Sequence, residues 1–199
     1  RTGRQCDRGS CVPLCTLNEK TKTNVGCDYW AADLDNAFVP GGDGFLNAAR
    51  APYAVVVSNP HPTLTAEVSV LNNEDTVDSG LVPPLGLYVF NLPHRDIDQT
   101  SITPRAYRVR STIPIIAYQF NPLENEEVFS NDASLLLPSH VVGDEYFVMT
   151  REQSFARLRG FLTVIGINPE PTQVRVTVTA RTQAGVGGIP ALEPGDTFE

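Results

Sequence analysis

Four cysteines, Cys6, Cys11, Cys15 and Cys27, stand in the first 27 residues of a 199-residue chain, and none follows. Thiols clustered in this way either pair as disulfides or hold a metal. Their spacing, C-x4-C-x3-C-x11-C, lacks the paired C-x2-C knuckles of a structural zinc site, and no histidine stands nearby to complete one. Disulfides formed in an oxidising compartment are the favoured reading, with all four cysteines paired. Spacing alone leaves the pairing open.

Three further groups could do chemistry. Asp33, Asp35 and Asn36 put several oxygens close together, as the start of a calcium loop does. They lack the glycine and closing glutamate of an EF-hand, so turn formation is the favoured role and a calcium ion the alternative. Arg105, Arg108 and Arg110 make a basic row that could receive an anionic glycan, although a solvated face paired with acids is the more common use of such a row. Ser130, Asn131 and Asp132 form a polar knot between apolar segments, suited to fixing a turn by side-chain hydrogen bonds to the backbone.

Catalysis finds little to work with. No G-x-S-x-G elbow, H-E-x-x-H pair, phosphate-cradling glycine loop or C-x-x-C redox pair is present. The three histidines, His61, His94 and His140, sit beside prolines or at turns. Without a nucleophile and an oriented base, the chain reads as non-enzymatic, with a glycan-active enzyme built on separated carboxylates as the remote alternative. No catalytic residue and no cofactor is assigned, calcium at the Asp33 corner aside. A net charge of −8 disfavours nucleic acid as a partner, and no apolar run is long enough to span a bilayer as a helix.

The elements that must position these groups are short strands. Sixteen prolines and fifteen glycines are scattered through the chain and break it into pieces too short for long helices, while 41% apolar residues suffice for a core. Residues 1–27 read as a stapled leader and 28–199 as an all-β sandwich domain. Trp30, Ala32 and Leu34 share one face of the first strand, with Trp30 as the expected core anchor. Val39–Gly44 is a loop. Tyr53–Val57 is a buried strand, Thr65–Leu71 alternates with Ala66, Val68 and Val70 on one face, and Leu85–Leu92 follows a proline break.

Ala106–Arg110 and Ile113–Phe120 are two further runs, and Glu145–Arg151 another strand. Tyr107 and Val109 are expected to face inward, and Tyr118, Phe120 and Leu135–Leu137 to join the core.

The chain also echoes itself. Asn59-Pro60-His61-Pro62-Thr63 followed by Ala66, Val68 and Val70 is matched by Asn168-Pro169-Glu170-Pro171-Thr172 followed by Val174, Val176 and Val178. Each copy follows an apolar run, Tyr53–Val57 or Phe161–Ile167. The expectation is a sandwich of two related strand–turn–strand units, 53–93 and 161–199, the second incomplete: a fragment boundary with the chain continuing beyond Glu199 is the favoured reading, and a missing strand supplied by another chain at the open edge the alternative.

Several of these stretches together resemble a known family. Gly26–Asn36 (GCDYWAADLDN), Val57–Pro60 (VSNP), Ala106–Val109 (AYRV), Ile116–Pro122 (IAYQFNP) and Ser130–Pro138 (SNDASLLLP) are similar to the N-terminal domain of the IgG Fc-binding protein family, over a span from about Gly26 to Thr182. The resemblance implies a secreted or cell-surface, β-rich module for adhesion or for binding a protein or glycoprotein partner, with a cysteine-rich leader of the kind found in bacterial members. It carries no catalytic residue across. Self-association through sheet edges, and glycan binding beside the arginine row, are the two partner modes to test.

Overall fold

The computed structural model describes residues 3–7, 9–42, 44–154 and 158–199. Arg1 in the leader and Asp43 in the 39–44 loop lie outside them. The described chain is all-β, apart from one short helix and two 3-10 turns, and every pairing between its named strands is antiparallel.

One strand organises it. The two runs expected at Ala106–Arg110 and Ile113–Phe120 are a single strand, Tyr107–Asn121, designated β10. Its first half, Tyr107–Ser111, lies between β7 (Ala66–Asn72) and β3 (Gly26–Ala31); its second half, Ile116–Phe120, pairs with β6 (Tyr53–Ser58), and Tyr118–Asn121 pairs with β11 (Asp132–Leu135) on the other side. Adding β8 (Asp75–Val82) beside β7 and β9 (Leu87–Leu92) beside β6 gives two four-stranded leaves, β8-β7-β10-β3 and β9-β6-β10-β11. A register shift against β3 between Arg110 and Ile115 marks where β10 passes from one leaf to the other, the usual device for a strand that serves two packed sheets.

Period-two alternation decides what is buried. Along β10 the odd-numbered Tyr107, Val109, Ile113, Ile115, Ala117 and Gln119 all face the core. All but Gln119 meet Val55, Val57, Val68, Val70, Val82 and Phe90 from the two leaves in one apolar cluster. The expected inward turn of Tyr107 and Val109 is found. Tyr118 and Phe120 have the opposite parity and are only half-buried, and of Leu135–Leu137 only Leu136 is buried.

The first strand also presents the other face. Tyr29 and Ala31 are in the core and Trp30 is half-buried. The Tyr29 hydroxyl is satisfied there by donating to Ile115 O at 2.5 Å, with Asn24 O also within reach at 2.9 Å, so the tyrosine can sit deep where an unsatisfied phenol could not. Gly26, at the head of β3, packs flat on the SNDASLLLP segment: a Cβ there would lie 2.3 Å from Pro138 Cβ.

The leader folds as a hairpin, β1 (Arg4–Asp7) with β2 (Ser10–Pro13), followed by the helix α1 (Leu14–Asn18). Cys15 on α1 and Cys27 on β3 form a disulfide that ties the leader to the first leaf. Where a loop was expected at 39–44, Val39–Gly41 belong to β4 (Phe38–Gly41) and Gly44 opens β5 (Gly44–Asn47); the two pair antiparallel, and Phe38 and Phe45 stack on them at 4.7 Å.

Of the two echoed units, the first forms β6, β7, β8 and β9. In the second, only Val176–Thr177 (β12) pairs, with Thr197–Phe198 (β13). Phe161–Ile167 and the stretch Glu145–Arg151 are not strands in the described residues.

Candidate functional site

A cluster of carboxyls with raised proton affinity lies where β3 runs out. Asp33-Leu34-Asp35 meets Asp96-Ile97-Asp98 from 63 residues further along, through a parallel bridge between Leu34 and Ile97 and a hydrogen bond from Ile97 N to Asp33 O at 2.9 Å. Two Asp-x-Asp segments thus lie side by side. Asp33 is only 2% exposed. Its Oδ2 accepts from Arg95 N at 2.9 Å and lies 3.5 Å from His94 Nδ1. Burial pushes the Asp33 carboxyl up, partly offset by the Arg95 N–H and by His94. Burial first and Asp98 second push up Asp35. Asp96 is pushed up to about 6, by burial first and then by Asp35, Asp33 and Asp98.

Local hydrogen bonds make the corner a clasp. Asn36 Nδ2 donates to Asn121 O at 2.7 Å and Asn121 Nδ2 donates to Leu34 O at 2.5 Å, a reciprocal tie between this corner and the end of β10. Asn36 Oδ1 accepts from Ala37 N at 2.7 Å, as a turn-forming Asn does. Oxygens of Asp33 and Asn36 are therefore directed at backbone N–H groups. Among the described residues, no group of three or more His, Cys, Asp or Glu side chains is arranged to hold a metal ion.

Gln119, which sequence reading passed over, connects this corner to the core. Its Oε1 accepts from Ala32 N at 3.2 Å and from the Tyr53 hydroxyl at 3.3 Å. Tyr53 stacks on Tyr107 at 6.0 Å between ring centroids, and Tyr107 donates its hydroxyl proton to Pro93 O. The usable signal was parity: Gln119 continues the odd-numbered series from Tyr107.

The three arginines of the basic row have separate destinations. Arg105 Nη1 donates to Asp96 O. Arg108 donates from Nε to Asp28 Oδ1 at 2.6 Å and from Nη2 to Asp28 Oδ2 at 3.2 Å, with its guanidinium 5.3 Å above the Trp30 ring. Ser139 Oγ adds a bond to Asp28 Oδ2 at 2.6 Å. Arg110 is exposed. Arg105, like Arg110, is exposed, so of the row only Arg108 has its charge committed to a carboxylate.

Ser130, Asn131 and Asp132 lead into β11. Ser130 Oγ reaches Asp132 Oδ2 at 3.4 Å; Asn131 is exposed, and its side chain makes no hydrogen bond among the described residues. The buried turn lock of the fold is instead Asn59, fully buried, whose Nδ2 donates to Leu64 O, Val82 O and Pro83 O at 2.8, 2.9 and 3.2 Å, while its Oδ1 accepts from His61 N at 3.0 Å. The sequence signal for it was the Asn-Pro at the end of an apolar run, common to both echoed units.

Compared with protein-family models, with curated proteins and with solved structures, the chain finds no match.

Proposed function

We propose that this chain is an extracellular adhesive or structural module that associates with copies of itself by strand addition. The observation that carries the reading is the contrast between the two echoed units. The first turns about Asn59 and is fully paired; the second has the same Asn-Pro-x-Pro-Thr turn and alternating valines, yet Phe161–Ile167 has no strand partner among the described residues. Phe161 is 47% and Val164 53% exposed there. An apolar, β-branched stretch left unpaired in water is a strand awaiting a sheet edge.

The edge that suits it is β11. It pairs on one side with β10, and Leu135 and Leu137 beside it are exposed. A second copy offers both the donor and the acceptor. The resemblance to the N-terminal domain of the IgG Fc-binding protein family favours the same class of role, and a disulfide-tied leader suits secretion or the cell surface. The glycan-binding alternative loses support from Arg108, whose charge is committed to Asp28.

Sedimentation velocity over a wide concentration range tests the reading. The native chain should shift to higher mass as concentration rises, and Thr163→Pro, which removes a strand N–H outside the apolar core, should remain monomeric with an unchanged unfolding midpoint. A native chain that stays monomeric throughout sinks the proposal.

A further inference from the structure

The leader carries a second pair of sulfurs, unlike the first. Cys6 and Cys11 are free thiols that face each other as register partners across the β1–β2 hairpin, with Sγ atoms 2.8 Å apart. A disulfide bond needs about 2.05 Å between sulfurs, so closure asks the two Sγ atoms to approach by less than about 1 Å. Both residues are exposed, and their hairpin pairs with itself, outside the two leaves of the sandwich. Cys15 and Cys27, by contrast, are half-buried and link α1 to a strand of the core leaf, with Cys15 Sγ against Ser111 O.

We infer that Cys6 and Cys11 form a reversible redox site that exchanges with small-molecule disulfides, while Cys15–Cys27 is a permanent staple. The reactant is a low-molecular-weight disulfide such as glutathione disulfide. The Cys11 thiolate attacks one of its sulfurs, and a glutathione thiolate leaves with the electron pair of the broken S–S bond. Cys6, the neighbouring thiol 2.8 Å away, still carries its proton after this first step. Cys6 then loses that proton and attacks Cys11 Sγ, releasing the second glutathione. Two cysteine thiols are oxidised by two electrons, one glutathione disulfide is reduced to two thiols, and the two protons pass from the cysteines to the glutathiones. Exposure admits both the oxidant and the reductant, which is what separates exchangeable disulfides from structural ones.

The experiment is equilibration of the folded full chain in glutathione buffers of varied thiol-to-disulfide ratio, followed by acid quench, alkylation and peptide mass mapping. Cys6 and Cys11 should pass together between doubly alkylated and directly bonded forms, and back, across ratios at which Cys15–Cys27 stays closed. Cys6→Ser, at an exposed hairpin position outside the core, should gain one glutathione on Cys11. Permanent alkylation of both thiols at every ratio would overturn the inference. So would reduction of both bridges together, a bond between Cys6 or Cys11 and either of the other cysteines, or the absence of an adduct on Cys6→Ser.

Discussion

Arg108 and Asp28 form a two-point ion pair across neighbouring strands, with Nε and Nη2 of the guanidinium donating to the two carboxylate oxygens at 2.6 and 3.2 Å. Both side chains are partly covered, 33% and 28% exposed, and the guanidinium also caps the Trp30 ring. The pair therefore belongs to the architecture of β3 on β10. Arg108→Ala should lower unfolding stability by about 1–2 kcal/mol, through the lost bidentate pair and the lost ring contact, while Arg110→Ala should stay within about 0.5 kcal/mol of the native chain. Urea unfolding followed by Trp30 fluorescence measures both; equal effects would mean that the pair contributes nothing beyond a surface charge.

Gln119 supports a second prediction. Gln119→Leu keeps the volume roughly constant but leaves the Ala32 N–H and the Tyr53 hydroxyl without their acceptor. Orphaning buried donors costs about 1–3 kcal/mol, so the variant should unfold correspondingly earlier, and the Ala32 amide should exchange with solvent faster. Native-like stability would remove Gln119 from the polar link at the Asp33 corner.

The two asparagine turns should behave oppositely. Asn59→Ala deletes a side chain that satisfies three carbonyls inside the fold, with an expected loss of about 2–4 kcal/mol. Asn131→Ala, on an exposed approach to β11, should change stability by less than about 0.5 kcal/mol. Thermal unfolding of the two variants side by side decides between Asn59 and the Ser130–Asp132 knot as the turn lock.

Much of the sandwich was legible because alternation is a local signal. Ala66, Val68 and Val70 are buried as their spacing requires, and Tyr107 and Val109 likewise. The second half of β10 was not legible, because bulk and parity disagree there: Tyr118 and Phe120 are larger than Ala117 and Gln119, but an unbroken strand from Tyr107 fixes which residues point inward. Trp30 fails for the same reason, since Tyr29 shares a face with Ala31 and finds carbonyls for its hydroxyl.

The candidate site was half visible. Asp33, Asp35 and Asn36 stood out, but their partners Asp96 and Asp98 come from a distant loop that the Leu34–Ile97 bridge and the Ile97 and Arg95 N–H bonds to Asp33 bring alongside.

That clasp gives the chain a pH dependence. The Asp96 carboxyl is raised to about 6 in the fold, above its value of about 3.9 in an unfolded chain, so the folded state holds the proton more tightly. Its stabilising contribution is complete below the unfolded value and is lost as pH rises through about 6. The unfolding midpoint should therefore be higher near pH 5 than near pH 7.5. Asp96→Asn, which stays neutral, should flatten this change and raise the midpoint at pH 7.5. An Asp96→Asn midpoint with the native pH slope would contradict the assignment.

The central claim, that unpaired strand sequence in the second unit docks on the β11 edge of another copy, is tested most directly by amide hydrogen exchange at low and high protein concentration. Protection of Phe161–Ile167 and of Asp132–Leu135 should rise together with concentration in the native chain, and neither should change in Thr163→Pro. Equal exchange of both segments at all concentrations would contradict it.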